Sequence, residues 1–341
     1  MMEAVYLSYD EISGLATAAD HVEAVRKAYC ERGNGAPTEP RTALSNENPA
    51  GLLNSYIAIL PKKGVMGGYT YSAGFSDADA WLITPLFDAK TGRPLAILDG
   101  SALNTYKTGA AGAVGIDALA RANSRVLSVF GSGAQAFGQV RAAVAVRDFD
   151  EIYVYSPTQA HRESFAERIS SEFDQAARAV DTPAEAVQPA DVIITATTAS
   201  EPVFDGADLQ PGTHVNAIGQ YDPRKRELAS DVLRRGTYVV DLMARAFQDA
   251  GSFVLAVEEG AIDDDHIHGE LGDVLVGTVP GRETDDEITV FDSGGTAIET
   301  LASAAMVYEE ASSRGLGSTI SFTPASQAYE GKKGTSADEL E

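Results

Sequence analysis

The sequence predicts an α/β protein with a doubly wound parallel sheet in the middle of the chain and a split α+β partner domain made from its two ends. Three observations carry this. From Arg125 onward, apolar runs of strand length alternate with helical stretches, the pattern of parallel strands joined by crossovers and covered on both faces. Before Arg125 the pattern is different, with consecutive strand-like runs between Leu52 and Leu98. After the last strand-like run a long helix, Thr296–Arg314, closes the chain before a Gly/Ser/Thr-rich tail.

In chain order, Ala18–Arg32 has the spacing of an amphipathic helix, ended by the Gly/Pro/Asn stretch Gly33–Pro40. Ser55–Leu60, Gly68–Tyr71 and Trp81–Asp88 read as strands. Asp88-Ala89-Lys90-Thr91-Gly92-Arg93, set between two apolar runs, reads as a hairpin turn. After Asn104 the residues become small and helical through Ala120. The alternating part has strand runs at Val126–Phe130, Ile152–Tyr155, Val192–Ala196, His214–Ile218, Tyr238–Leu242 and Ile288–Phe291, with helices such as Ala134–Val146 and Gln159–Phe173 between them. Residues 331–341 have the composition of a disordered tail.

The most chemical feature is Val126–Phe130 followed by Gly131-Ser132-Gly133-Ala134-Gln135-Ala136. This is a buried strand, then G-x-G-x-x-A, then a helix. Gly131 permits the tight turn, Gly133 lets backbone approach a diphosphate, and Ala136 lets the helix pack close to the sheet. The free N–H groups at the helix start then hold the anion. The motif in this context predicts a Rossmann-type fold binding NAD or NADP. The second strand ends Tyr155-Ser156-Pro157-Thr158 without the acid that usually holds an adenosine ribose, and His161 and Arg162 follow. A 2′-phosphate is therefore not repelled, and NAD held by the Ser156 and Thr158 hydroxyls is equally open.

The landmarks together resemble the ornithine cyclodeaminase/μ-crystallin family, which includes an archaeal alanine dehydrogenase and ketimine reductases. They are Leu86-Phe87-Asp88 with Thr91-Gly92 and Pro94-Leu95; Lys107-Thr108-Gly109-Ala110-Ala111; the Gly131 turn; Asp191–Thr197; Pro211–Gly219; and Phe291–Ile298. The resemblance implies a substrate-binding and dimerisation domain from 1–118 and 299–330 around a cofactor domain at 119–298. It also implies a homodimer, an active site between the domains, and hydride exchange between NAD(P) and an amino acid, its keto acid or its imine. An ammonia-releasing cyclodeaminase with bound NAD and a non-catalytic cofactor-binding protein are the alternatives within the family.

Carried over residue by residue, the resemblance makes Arg41 a ligand for substrate carboxylate. Lys107 stands where the family usually has an arginine, so it meets a carboxylate without a bidentate fork. The family's catalytic lysine falls near Gly68–Tyr69, making Tyr69 a candidate, and its catalytic aspartate falls at Tyr221, with Asp222 next. These groups, with Lys107, are the candidates for moving protons. Cofactor contacts are expected from Thr108, Gly131, Gly133, Ala134, Gln135, Ala136, Ser156, Thr158, Thr195, Ala196, Thr197, Ile218, Ser293, Gly294 and Gly295. No metal is expected: the run Asp263–Glu270 reads as an acidic loop in an acidic protein.

Asp and Glu number 50 against 26 Lys and Arg, a formal net charge of −24, with the acids dispersed along the chain. Such a surface repels phosphate backbones and argues against nucleic-acid partners. Dispersed acid with little lysine fits a protein working in concentrated salt, which screens self-repulsion to a few ångströms. No apolar run approaches a membrane span, the first residues lack a secretion pattern, and Cys30 is the only cysteine, so a cytoplasmic protein is expected. Refolding monitored at low and at molar KCl should show a higher denaturation midpoint in salt; full stability without salt would contradict the halophilic reading.

Overall fold

The computed structural model describes residues 2–75 and 80–330; the tail expected to be disordered, 331–341, lies outside the described residues. Two sheets organise the chain. The first contains β1 (Met2–Leu7), β2 (Thr42–Glu47), β3 (Ala50–Leu60), β4 (Val65–Ala73), β5 (Trp81–Asp88) and β6 (Pro94–Asp99). The second contains β7 (Val126–Phe130), β8 (Glu151–Tyr155), β9 (Ala177–Ala179), β10 (Val192–Thr195), β11 (His214–Ala217), β12 (Gly236–Val240), β13 (Ile267–Glu270) and β14 (Ile288–Asp292). A last strand, β15 (Ser318–Phe322), returns to the first sheet.

The first sheet has the order β15-β1-β6-β5-β4-β3-β2, antiparallel except for the β1–β6 pair. The Asp88–Arg93 hairpin forms, its turn fixed by the Asp88 carboxylate accepting from the N–H groups of Lys90 (3.0 Å) and Thr91 (2.7 Å). Strand β3 alternates cleanly. Tyr56, Ala58 and Leu60 face inward, while Ile57 and Ile59 face out. Helices Ala18–Gly33, Ser101–Leu119 and Ala297–Ser313 cover the inner face and close one core with Leu7, Leu86, Leu98 and Leu301. The outer face keeps Leu44, Leu53, Ile57, Trp81 and Ile83 exposed, Trp81 to 76 %.

The strand β15 lies in the Gly/Ser/Thr-rich stretch after the last long helix, where no strand is expected from the sequence. It pairs antiparallel with β1, Met2 opposite Phe322 and Tyr6 opposite Ser318. Four of its five residues are exposed, so no burial alternation marks it in sequence.

The second sheet is parallel throughout, in the order β13-β12-β14-β11-β10-β7-β8-β9. From β7 the chain winds outward to β8 and β9, then crosses to β10 on the other side and continues away. The strand order therefore reverses between β7 and β10, and a crevice opens there at the carboxyl ends of the strands. The strand expected at Tyr238–Leu242 begins and ends two residues earlier, because Leu242 leaves the sheet to cap the helix Met243–Asp249. The helix expected to reach Val146 ends at Ala143.

Glycines set how the two halves meet. Helix Ser101–Leu119 crosses helix Ala134–Ala143 so closely that a side-chain carbon on Gly109 would lie 2.2 Å from the Gly138 carbonyl oxygen. This contact fixes the position of Lys107, half a turn earlier on the same helix. Gly109→Ala should destabilise the fold by about 1–3 kcal/mol through overpacking, read as a lower urea midpoint; an unchanged midpoint would contradict the close crossing.

Candidate active site

The turn after β7 has the form the motif predicts. Gly131 has φ +111°, a conformation favouring glycine, and a carbon on it would lie 2.4 Å from the Ala196 carbonyl oxygen. Its N–H donates to the Tyr155 carbonyl at 2.9 Å, tying the turn to the end of β8. Around Gly133 nothing lies within 4 Å of where a side-chain carbon would be. Helix Ala134–Ala143 starts beside this space with Gly133 and Ala134 exposed, and Ala136 is fully buried against the sheet. The first N–H groups of a helix lack intrahelical acceptors, so they are available to an anion. The buried Gln135 Oε1 has no partner, an acceptor a sugar hydroxyl can satisfy.

At the end of β8, Ser132 Oγ donates to Ser156 Oγ at 3.3 Å, and Thr158 caps helix Gln159–Phe173 without a side-chain hydrogen bond. Arg162 is buried, donating to the Ser156 carbonyl (3.2 Å) and to Asp181 (2.6 Å). Its guanidinium thus secures the strand end.

The opposite wall is the turn Ser293-Gly294-Gly295 after β14. Asp241, at the end of β12, accepts from Ser293 Oγ (3.1 Å) and Gly295 N–H (2.9 Å). Arg245, wholly buried, holds Asp241 (2.8 Å), Asp249 (3.2 Å) and Asp292 (2.7 Å). Sequence reasoning missed this cluster. Its spacing, Asp241, Arg245 and Asp249 at successive helical turns, was the available signal. Burial raises the pKa of Asp292 and of Asp249, each opposed by a neighbouring arginine.

Residues from the first sheet and its helices close the chamber. Arg41 is buried between the rings of Tyr56 and Tyr221, its guanidinium carbon 5.1 and 4.8 Å from their centroids. It donates to the Gly294 carbonyl at 2.6 Å. Its Nε approaches Asp249 to 2.8 Å, an ion pair without the alignment of a hydrogen bond. Lys107 is 7 % exposed. Its Nζ lies 5.3 Å from the Tyr69 ring centroid and 3.3 Å from where a carbon on Gly295 would sit. Burial lowers the Lys107 pKa, with Glu299 opposing that shift. Thr108 gives its carbonyl to Gln139 at 2.7 Å. Tyr69 is buried, its hydroxyl without a partner, and burial pushes its pKa far up, so it remains a neutral donor.

The other candidates are placed less directly. Tyr221 is 49 % exposed and stacks on Arg41. Asp222 is gripped by Arg224 through Nε (2.9 Å) and Nη2 (2.8 Å), which holds its pKa down at about 2. It is an ionised carboxylate already engaged, and so a weak base. The Thr195 hydroxyl, expected to face a cofactor, turns inward to Glu227 at 2.9 Å. Ala196 and Ile218 contribute backbone at the strand ends, Ile218 N–H donating to the Thr195 carbonyl. The acidic loop is occupied by its own contacts, with His266 against the Leu233 carbonyl and His268 against that of Pro280.

The open cradle at Gly133 and the positive φ of Gly131 fit the diphosphate of a nicotinamide dinucleotide. The residues able to hold it are the Gly131–Ala136 turn, Ser156, Thr158, Thr197, Ile218 and Ser293–Gly295. Arg41 and Lys107 meet the Ser293–Gly295 turn and Tyr69 lies beside Lys107, which brings two cations and one unpartnered hydroxyl together.

Comparison with known proteins agrees with a nicotinamide-dinucleotide cofactor. The Delta(1)-pyrroline-2-carboxylate reductase of Bacillus cereus is 39% identical over 267 residues, 78% of this chain and 79% of that protein. The structure of the Thermococcus litoralis Delta(1)-pyrroline-2-carboxylate reductase in complex with NADH and L-proline matches with a TM-score of 0.88 and 32% identity, covering 93% of this chain and 100% of that one. An archaeal alanine dehydrogenase dimer with bound NAD matches equally, at TM-score 0.88 and 32% identity over 94% of this chain and 100% of that one. The profile of the ornithine cyclodeaminase/mu-crystallin family matches residues 3–315, and the chain belongs to that family.

Proposed function

We propose that the protein is an NAD(P)-dependent oxidoreductase that interconverts a small α-amino acid and its imine, in the manner of an alanine dehydrogenase or a cyclic ketimine reductase. The observation that carries this is the meeting of Arg41 and Lys107 at the Ser293–Gly295 turn, where Gly294 accepts from Arg41 and Gly295 abuts Lys107. The nicotinamide, when bound, supplies hydride exchange with the substrate α-carbon. Residues 119–298 form the cofactor domain in this reading, and 1–118 with 299–330 the substrate domain.

Arg41 and Lys107 hold the substrate carboxylate, Arg41 with whatever of its fork Gly294 and Asp249 leave free. Tyr69 donates a hydrogen bond from its unpartnered hydroxyl to the substrate. Lys107, with its pKa lowered by burial, yields a proton at Nζ more readily than an exposed lysine would. Asp222 stays with Arg224 and takes no part. The absence of a free acid there disfavours the cyclodeaminase reading, in which an internal amine attacks the imine and needs a base.

Assays should pair amino acids with NAD+ and NADP+, and keto acids plus ammonia, or cyclic ketimines, with the reduced cofactors. Lys107→Met should lower kcat/KM roughly 10- to 100-fold, the worth of a charged hydrogen bond, and Tyr69→Phe should lower kcat with little change in NADH affinity. No turnover on any of these substrates, with the cofactor bound, would leave the non-catalytic reading in place.

The protein also acts as a homodimer in this reading, paired through the exposed apolar face of the first sheet. Leu44, Leu53, Ile57, Trp81 and Ile83 on that face would otherwise stand in water. Among the described residues no helix is long and apolar enough to cross a membrane, and the acidic surface suits a salt-rich cytoplasm. Sedimentation should show two chains for the wild type and one for Ile57→Asp/Trp81→Asp; a monomeric wild type would refute the pairing.

A further inference from the structure

We propose that Glu227 is a positioning residue that locks together the two strand-end loops walling the cofactor crevice, and that it does so only as a carboxylate. The inference rests on reading the crevice as a nicotinamide-dinucleotide site. Glu227 lies in the segment between β11 and helix Ser230–Arg235 and is 1 % exposed. One of its oxygens accepts from Thr197 N–H at 2.6 Å. The other accepts from Gly219 N–H at 2.8 Å and from the Thr195 hydroxyl at 2.9 Å. Thr195 ends β10 and Thr197 follows it, and Gly219 follows β11. A single side chain therefore ties the ends of two neighbouring strands at the carboxyl edge of the sheet.

The loops come this close because Gly219 has no side chain. A carbon there would lie 2.4 Å from both the nitrogen and the oxygen of Thr197, and 2.5 Å from Glu227 Oε1. Glu227 is itself anchored, its carbonyl accepting from Val203 N–H at 2.8 Å. Gln220 adds a second tie between the same loops, donating to the Ala199 carbonyl at 2.5 Å. Without the carboxylate, two half-buried backbone N–H groups would face the same space with no protein acceptor, an unfavourable arrangement. The loops would then separate, and with them Thr197 and Ile218, which border the crevice.

Three donors converge on two oxygens from two sides, so a carboxamide cannot replace the carboxylate. Whichever way a glutamine amide turns, its NH2 faces the N–H of Thr197 or that of Gly219, donor against donor. Glu227 touches neither cofactor nor substrate in this scheme. It acts through the backbone it holds.

The experiment is direct titration of purified protein with NADH, read by nicotinamide fluorescence, alongside kinetics. Glu227→Gln should raise the NADH dissociation constant by about tenfold or more, raise the cofactor KM in step, and lower kcat less. Asp191→Asn is the matched control. Asp191 likewise accepts two backbone N–H groups, from Arg125 (2.6 Å) and Val126 (3.0 Å), but at the amino edge of the same sheet. It should lose comparable thermal stability and keep NADH affinity within about twofold. Should Glu227→Gln fail to fold, Glu227→Asp keeps the charge but withdraws it by one methylene, and should weaken NADH by about threefold or more. Wild-type affinity in the folded Glu227 variant, or equal loss in the Asp191 control, overturns the proposal. Wild-type protein that binds no NADH overturns the crevice reading itself, an outcome distinct from a variant that binds as tightly as wild type.

Discussion

One guanidinium facing three carboxylates holds the catalytic end of this molecule together. Arg245, with no exposure to water, meets Asp241 from the end of β12, Asp292 from the end of β14 and Asp249 from the end of its own helix. Taking such charges out of water costs several kcal/mol per ion, about as much as attraction returns, so the cluster is stable only if every member is satisfied. Two of the three carboxylates have further partners. Asp241 takes Ser293 and Gly295, and Asp249 faces Arg41. The cluster thus fixes two strand ends, the Ser293–Gly295 turn and the arginine of the substrate chamber as one rigid set. Even Gly294 is explained by it, since a carbon there would lie 2.6 Å from Arg245 Nη1.

The same edge of the sheet uses backbone N–H groups in two opposite ways. Where the chain must stay rigid, buried carboxylates consume them, as Glu227 does for Thr197 and Gly219, and Asp241 for Gly295. Where an anion is to be held, at the start of helix Ala134–Ala143, no side chain takes them and nothing stands over Gly133. This division matters in a chain of net charge −24. Lysines and arginines are few, and in the proposed reading the diphosphate falls to uncharged amides while the buried cations Arg41 and Lys107 are left to the substrate.

How much of this the sequence discloses depends on whether the signal is local. The Gly131 turn, the helix Gln159–Phe173, the strand Trp81–Asp88 and, to within one residue at each end, the last long helix are each written in consecutive residues, and each forms as the pattern predicts. The pairing of β15 with β1 joins residues some 316 positions apart (Met2 with Phe322 at the extreme), β15 is mostly exposed, and no pattern announces it. Glu227 sits 30 residues from Thr197, in a loop that reads as surface. Asp222 misleads for the opposite reason. It is adjacent to the expected position of an acid, but Arg224, two residues on, claims it through local geometry that residue type alone does not show.

The chamber also shows what two of the departures from the family pattern amount to when taken together. Read separately, a lysine for an arginine at 107 and a tyrosine near the family's lysine position look like the loss of a fork and the loss of a base. In space they are one pair, the Lys107 ammonium lying 5.3 Å from the centre of the Tyr69 ring. An aromatic face favours a cation at that range, and Lys107 has no ion-pair partner among the described residues. In the proposed reading the amine has moved from a strand to the helix Ser101–Leu119 rather than disappeared. The proton function stays with a buried lysine, Tyr69 becomes a neutral donor, and the carboxylate is held at two separate points instead of by one fork. Such a site tolerates a substrate whose carboxylate is oriented by its ring or side chain more readily than one that depends on bidentate clamping.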